Sequence, residues 1–322
     1  MLLLLIGEPN VAPYDESHFA QIKKVAPKVE IVSTNDTEEI KKNLPNAEIV
    51  ITSPQHFGLI DLTLTKNLKW IHMSSAGVTD AARILAPTDI ILTNSSGVHP
   101  IPISETVLGY ILMFARRLDV AYRNQVLNKS WSRNVGNNRG MELVDKTIGI
   151  VGFGRIGQEI ARLCRGIGMK AVALQYSQPL DKSMIDHTFE NIDELLEKAD
   201  FVVDCLPLTP ETKGYFDADR FKSMRDSAYF INIGRGGTVA EHDLITALKE
   251  GTIAGAGLDV FEVEPLPDSS PLWSLENVII TPHISGWTPE YTNRVVNIFC
   301  ANLEAYLSGK PMQTLVNKDK GY

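Results

Sequence analysis

The segment Val151-Gly152-Phe153-Gly154-Arg155-Ile156-Gly157 lies near the middle of this 322-residue chain, not at its start. It follows the apolar run Thr147-Ile148-Gly149-Ile150 and opens a helical pattern over residues 158–164. A strand, a glycine-rich turn and a helix in that order form the fingerprint of a dinucleotide-binding unit. Gly152 serves the tight turn, Gly154 the approach of backbone to a pyrophosphate, and Gly157 the packing of helix on strand. The helix N-terminus at Arg155 and Ile156 presents amide donors to the anion. Residues 1–146 precede this unit, so a separate domain is expected first, with a cleft between the two.

The length suffices for two cores of ordinary size. A content of 44% hydrophobic and 22% charged residues is that of a globular protein. The net charge of −8 argues against nucleic acid or an anionic membrane surface as the main partner. Cys164, Cys205 and Cys300 are far apart and form no CxxC pair, so neither a disulfide framework nor a zinc site is expected. The histidines are scattered without ligand spacing, and no metal is expected. A reducing cytoplasm is the expected setting. The opening Met1-Leu2-Leu3-Leu4-Leu5-Ile6 lacks a basic stretch and stops at Gly7-Glu8-Pro9, so it reads as a buried strand rather than a signal peptide. No apolar run is long enough to span a bilayer.

Strand and helix signals alternate through the first hundred residues, with strands at 2–6, 29–33 and 49–52, helices at 14–26 and 37–43, and further short apolar runs at 68–72 and 90–93. That rhythm predicts a small parallel sheet covered by helices. Residues 104–118 form an apolar helix with Ser104 as its expected N-cap and Arg116-Arg117 at its C-terminus. Residues 124–141, with Trp131, Arg133, Asn137, Asn138 and Arg139, read as an irregular arm. From Thr147 the rhythm restarts, with six strands at 147–151, 171–174, 201–204, 229–232, 255–259 and 278–281. The fold class is therefore α/β: two Rossmann-like, doubly wound parallel-sheet domains, the first flavodoxin-like. A last helix over 290–307 is expected to return to the first domain and make it discontinuous. The expected division is 1–98 plus 290–322 for the substrate domain and 99–289 for the dinucleotide domain.

Three segments place polar residues just after strands of the second domain. Ile233-Gly234-Arg235-Gly236 puts a guanidinium at the carboxyl edge of the sheet, where ligands of such sheets bind. Its planar fork suits a carboxylate, although an exposed turn arginine is an equal reading of the glycines alone. Asp259 and Glu264 follow one strand and His283 another. A histidine, a carboxylate and an arginine converging beside a cofactor site form a catalytic candidate. Glu264 paired to His283 would hold the imidazole tautomer and stabilise the imidazolium that gives up a proton.

Together, Gly152–Gly157, Gly234-Arg235-Gly236, Asp259-Val260-Phe261-Glu262-Val263-Glu264-Pro265-Leu266-Pro267 and Thr281-Pro282-His283-Ile284-Ser285-Gly286 resemble the D-isomer-specific 2-hydroxyacid dehydrogenase family. Gly97-Val98-His99-Pro100-Ile101-Pro102-Ile103-Ser104-Glu105 resembles the branch acting on glyoxylate and hydroxypyruvate. The resemblance implies NAD or NADP as cofactor, a small 2-oxo acid or 2-hydroxy acid as substrate, and a homodimer. It implies that Arg235 binds and polarises the substrate, His283 is the acid/base and Glu264 supports it. It implies that Ala76, Gly77 and Val78 receive the substrate carboxylate through backbone amides. It also assigns Leu206, Pro207, Thr212, Ile233, Asp259, Ser285 and Gly286 to the cofactor. At the end of the second strand, Gln175-Tyr176-Ser177 offers neither the acid that grips the ribose of NAD nor an arginine for the phosphate of NADP, so weak or dual preference is expected. Thr106 stands where many relatives have histidine. Ser53-Pro54-Gln55-His56-Phe57 and Trp287 are expected to narrow the substrate pocket. Formate-oxidising relatives carry glutamine in place of Glu264, and phosphite-oxidising relatives carry lysine in the loop matched by Ser75-Ala76-Gly77. The remaining alternative is a non-enzymatic, dinucleotide-sensing, corepressor-like binding protein.

Overall fold

The computed structural model describes residues 1–7, 13–131, 140–174 and 183–319. Gln175, Tyr176 and Ser177, and Arg133, Asn137, Asn138 and Arg139 of the arm, lie outside the described residues. The chain divides into two compact units, Met1–His99 with Trp287–Tyr322, and Pro100–Gly286.

The first unit holds strands β1 (Leu2–Leu5), β2 (Glu30–Ser33), β3 (Ala47–Thr52), β4 (Trp70–Met73) and β5 (Ile91–Thr93). They form one parallel sheet in the order β2-β1-β3-β4-β5, the flavodoxin-like order. The inner strands are near-continuous apolar runs because both faces are covered. Leu4, Val50, Ile71 and Met73 pack with Ala82 and Leu85 on one face. Leu3, Leu5, Ile49, Ile51 and Trp70 pack with Val296, Phe299 and Leu303 on the other. Those last three belong to the helix Tyr291–Leu307, so the chain's final helix completes the first unit. Phe57, on the short helix Pro54–Phe57, is buried in this core.

A polar chain crosses this core. Trp70 Nε1 donates to Thr93 Oγ1 at 2.8 Å, which lies 2.7 Å from His72 Nδ1, and His72 Nε2 lies 3.0 Å from Ser95 Oγ. Ser95 Oγ donates its one proton to the Met73 carbonyl at 2.9 Å. Hydrogen counting then fixes a neutral His72 with its proton on Nε2, accepting at Nδ1 from Thr93.

The second unit holds β6 (Thr147–Val151), β7 (Lys170–Leu174), β8 (His187–Phe189), β9 (Phe201–Asp204), β10 (Tyr229–Asn232), β11 (Gly255–Leu258) and β12 (Val278–Ile280). The sheet is parallel throughout, in the order β12-β11-β10-β9-β6-β7-β8. It has seven strands where six were expected. β8 is a three-residue edge strand, half-exposed, and so lacks the apolar run that marks its neighbours. Chain order reverses between β6 and β9, which is the switch point at which such sheets bind ligands.

The helix Pro100–Ala115 begins four residues before Ser104, which corrects the expected N-cap. Pro100 and Pro102 are tolerated in a first turn, where amides need no intrahelical partner. Ser104 is buried within the helix and donates to the Ile101 carbonyl at 2.8 Å. A helix at Leu118–Arg123 leads into the supposed arm, whose first residues are regular, a π-helical turn at Asn124–Asn128. Among the described residues, no helix is long and apolar enough to cross a membrane, and no group of three or more His, Cys, Asp or Glu is arranged to hold a metal ion.

Candidate active site

Sheet order brings the candidate residues of the second unit to one edge. The fingerprint follows β6, Leu206 and Pro207 follow β9, Arg235 follows β10, Asp259 and Glu264 follow β11, and His283 follows β12. In the parallel sheet these are all carboxyl ends. At the usual strand spacing the ends of β10 and β12 lie about 10 Å apart, so loops rather than strands must join Arg235 and His283.

Gly152 has φ +100°, and a Cβ there would lie 2.8 Å from the Cys205 backbone. Only glycine suits that turn. Gly154 faces open space and is the N-cap of the helix Arg155–Gly166, which no side chain caps. Arg155 is exposed, Ile156 is half-buried and Gly157 is buried. A bare helix N-terminus of this length behind a glycine turn fits the pyrophosphate of a dinucleotide. Leu206 and Ile233 turn their side chains into the core, so they have only backbone to offer a ligand. Thr212 is buried too, and its hydroxyl bonds the Pro207 carbonyl at 2.5 Å, holding the loop 207–212 in shape.

His283 lies at φ +56°, in the left-handed region that a non-glycine residue adopts only when its surroundings impose it. Asp259 imposes it. Its carbonyl accepts the His283 amide at 2.9 Å. Its buried carboxylate accepts from the Ile284 amide at 2.9 Å, the Ser285 amide at 3.0 Å, the Ser285 hydroxyl and Thr281 Oγ1 at 2.5 Å. Tyr110 Oη, from the helix Pro100–Ala115, lies 2.5 Å from the same Thr281 Oγ1. Asp259 and Ser285, expected on the cofactor, are thus engaged in fixing the loop that carries the imidazole; Gly286 ends that loop, half-buried.

Glu264 Oε2 lies 2.7 Å from His283 Nδ1, and both side chains reach solvent. The other imidazole nitrogen, Nε2, is the one that can meet a substrate. Arg235 is exposed, and its Nη1 donates to the Gly234 carbonyl at 2.7 Å. Asn232 braces its turn, accepting the Gly234 amide at 3.0 Å and donating to the Arg235 carbonyl at 3.3 Å. Behind Arg235, a Cβ on Gly236 would fall 1.8 Å from the Phe261 carbonyl oxygen. The Arg235 turn and the loop carrying Glu264 are therefore in direct backbone contact.

In the first unit, Ala76 and Gly77 form a loop and Val78 turns its side chain into the core at the start of the helix Thr79–Leu85. Asn94 Nδ2 donates to the Ala76 carbonyl at 2.9 Å, Ser75 Oγ to the Gly77 carbonyl at 2.7 Å, and the Ser95 amide to the Ser75 carbonyl at 3.0 Å. These bonds occupy carbonyls and leave the loop's shape fixed. Thr106 donates to the Pro102 carbonyl at 3.0 Å, an ordinary helical back-bond. Tyr110, Asn232, Asp204 and Thr238 support the site without having been singled out in the sequence, and Thr281 was named there only as part of a motif. Only Asp204, an acid closing the apolar run Phe201-Val202-Val203, carried a signal that could have been noticed.

Known proteins are similar to this chain in sequence and fold. The family model described as "D-isomer specific 2-hydroxyacid dehydrogenase, NAD binding domain" matches residues 108–285. A glyoxylate reductase from Pyrococcus furiosus is 34% identical over 313 residues, covering 94% of this chain and 86% of that protein. A crystal structure of a D-isomer specific 2-hydroxyacid dehydrogenase family protein from Aeromonas salmonicida superposes with a TM-score of 0.84 at 32% identity, covering 99% of each chain. An NADPH-dependent glyoxylate/hydroxypyruvate reductase from Sinorhizobium meliloti, solved with NADP and sulfate, superposes at 0.78 with 27% identity, covering 100% of this chain and 99% of that one. With its NAD-binding domain matched over more than half its length and its whole fold shared, the chain belongs to the D-isomer-specific 2-hydroxyacid dehydrogenases.

Proposed function

We propose that this protein is an NAD(P)-dependent 2-oxo acid reductase that interconverts a small 2-oxo acid, such as glyoxylate or hydroxypyruvate, with its D-2-hydroxy acid. The observation that carries this reading is the 2.7 Å pairing of Glu264 with His283 at the same sheet edge as Arg235 and the fingerprint turn. The names of the relatives in Pyrococcus furiosus and Sinorhizobium meliloti support the substrate class. In this reading the first unit is the substrate domain and the second the dinucleotide domain.

A bound nicotinamide supplies or accepts the hydride. His283 holds a proton at Nε2 and delivers it to the alkoxide that develops on the reduced carbonyl. Glu264, on Nδ1, fixes the tautomer and stabilises the imidazolium. Arg235 pairs with the substrate and stabilises its developing charge. Ala76, Gly77 and Val78 receive the substrate carboxylate through their amides. Asp259 and Ser285 serve the cofactor side indirectly, by setting the 281–286 loop, while Leu206, Pro207, Thr212 and Ile233 shape the wall along the dinucleotide. The sequence Gln175-Tyr176-Ser177 carries no charge to repel or attract a 2′-phosphate, which supports use of both coenzymes.

The same reading makes the protein a homodimer of the reducing cytoplasm, acting on a small molecule and not on nucleic acid or membrane. Leu118, Tyr122, Val126, Leu127 and Trp131 form an exposed apolar series, with Trp131 94% exposed in the single chain. Such a series is what a second copy would cover. All three cysteines are free thiols.

Steady-state turnover of glyoxylate, hydroxypyruvate and branched 2-oxo acids with NADH and NADPH tests the reading. The expected result is fastest turnover of the smallest acids and less than about a hundredfold difference in kcat/KM between coenzymes, since no charged group discriminates them. Tight dinucleotide binding without turnover of any of them would favour a nucleotide-sensing protein instead.

A further inference from the structure

Asp204 ends strand β9, is fully buried, and has no role in the chemistry assigned above. Its Oδ1 accepts the Leu206 amide at 2.9 Å, and its Oδ2 lies 2.5 Å from Thr238 Oγ1. The same Thr238 oxygen lies 2.6 Å from the Arg235 carbonyl oxygen. A hydroxyl has one proton to give. A carboxylate and a carbonyl both need it, and whichever goes without faces a lone pair at hydrogen-bond distance. A proton on Asp204 Oδ2 removes the conflict: Asp204 donates to Thr238, and Thr238 donates to Arg235.

We propose that Asp204 is a neutral carboxylic acid that, through the Thr238 hydroxyl, holds the Arg235 turn, and is thus a positioning residue for the site. The consequence for substrate rests on the assignment of Arg235 to the 2-oxo acid.

The surroundings agree. Val151 of β6 and Asn232 of β10 flank Asp204 in register. The segment at Leu206 and the turn Gly236–Thr238 close over it. Among the described residues on these elements the titratable groups are Cys205, Arg235 and Tyr229, the last at the far end of β10 opposite Phe201. Burial pushes the Cys205 thiol well above its ordinary value, so it stays neutral. Arg235 is exposed and bonded to the Gly234 carbonyl. Burial pushes the Asp204 carboxyl up to about 7, against the lowering effect of its bonds from Thr238 and Leu206. An unpaired buried acid neutralises rather than remain charged.

When the proton leaves, the Thr238 hydrogen turns to the carboxylate and the Arg235 carbonyl keeps only the Thr238 amide at 3.1 Å and Asn232 Nδ2 at 3.3 Å. KM for glyoxylate should then rise severalfold as pH passes about 7, with a smaller change in kcat. The test compares wild type, Asp204→Asn and Thr238→Val as full-length proteins. Infrared difference spectra of wild type against Asp204→Asn, taken without substrate at pH 6, should show a neutral carboxyl band. Asp204→Asn keeps a donor to Thr238 at every pH and should lose the alkaline rise in KM. Thr238→Val breaks the relay and should have a raised KM already at pH 6, whether or not Asp204→Asn folds. An ionised carboxylate at pH 6, an Asp204→Asn profile that superposes on wild type, or a wild-type KM in Thr238→Val would each overturn the proposal. A neutral carboxyl band in a protein that turns over no 2-oxo acid would uphold the protonated acid and refute the substrate assignment.

Discussion

Glu264 is held at both oxygens: Oε2 lies 2.7 Å from His283 Nδ1, and Oε1 accepts the Phe261 amide at 3.0 Å. The carboxylate therefore cannot swing away from the imidazole without giving up a backbone bond. Glu264→Gln keeps the shape but removes the negative charge beside the ring. It should lower kcat for reduction roughly tenfold to a hundredfold, part of the ~10²–10⁴ that a positioned acid contributes, while the affinity for coenzyme stays level. Fluorescence titration with NADH beside steady-state kinetics checks both halves. Equal losses in binding and turnover would mean that Glu264 acts on the fold rather than on His283.

Gly236 meets the Phe261 carbonyl so closely that a methyl group cannot be accommodated without moving backbone, at 1.8 Å from the oxygen. Gly236→Ala should destabilise the protein by about 3 kcal/mol, the upper end of the overpacking range. It should also push the Arg235 turn away from the loop of Glu264 and depress activity. Gly166, at the end of the helix Arg155–Gly166, has nothing within 4 Å of its missing Cβ. Gly166→Ala is the control, expected to be neutral or to stabilise by up to about 1 kcal/mol. Denaturant unfolding of the two variants provides the comparison; equal stabilities would contradict the contact.

His72 makes the first unit sensitive to acid. Burial lowers its pKa from 6.5 to about 3, so the folded protein keeps the imidazole neutral while the unfolded chain takes up a proton. Its contribution is present in full above about 6.5 and is lost as pH falls toward 3. In that window the slope of unfolding free energy should approach about 1.4 kcal/mol per pH unit more than in His72→Gln. Urea titrations at pH 4 to 7 measure the difference. Parallel slopes would mean that His72 is solvated or already charged in the fold.

The residues that were legible in the sequence and those that were not differ for physical reasons. β9, β10 and β11 are buried on both faces and so appear as runs of apolar residues or glycine, closed by Asp204 in β9 and Asn232 in β10, whereas β8, at the sheet edge, has only His187-Thr188-Phe189. The family membership and the α/β class follow from motifs at the strand ends, which a parallel sheet gathers onto one edge. Ser104 was misread because serine serves as a cap or as a helical back-bonder equally well, and the prolines ahead of it moved the helix start to Pro100. The grip of Asp259 on Ser285, and of Tyr110 on Thr281 across 171 positions, depends on the path of the chain through space. No local spacing encodes it.

The most direct measurement of the central claim is single-turnover reduction of glyoxylate by His283→Ala, with bound NADH followed by its absorbance. The account predicts that the variant binds NADH as wild type does and that hydride transfer slows by at least about 10²-fold, the lower bound for loss of a positioned general acid. Transfer at a near-normal rate in His283→Ala would contradict it, because no other described residue has been given the proton.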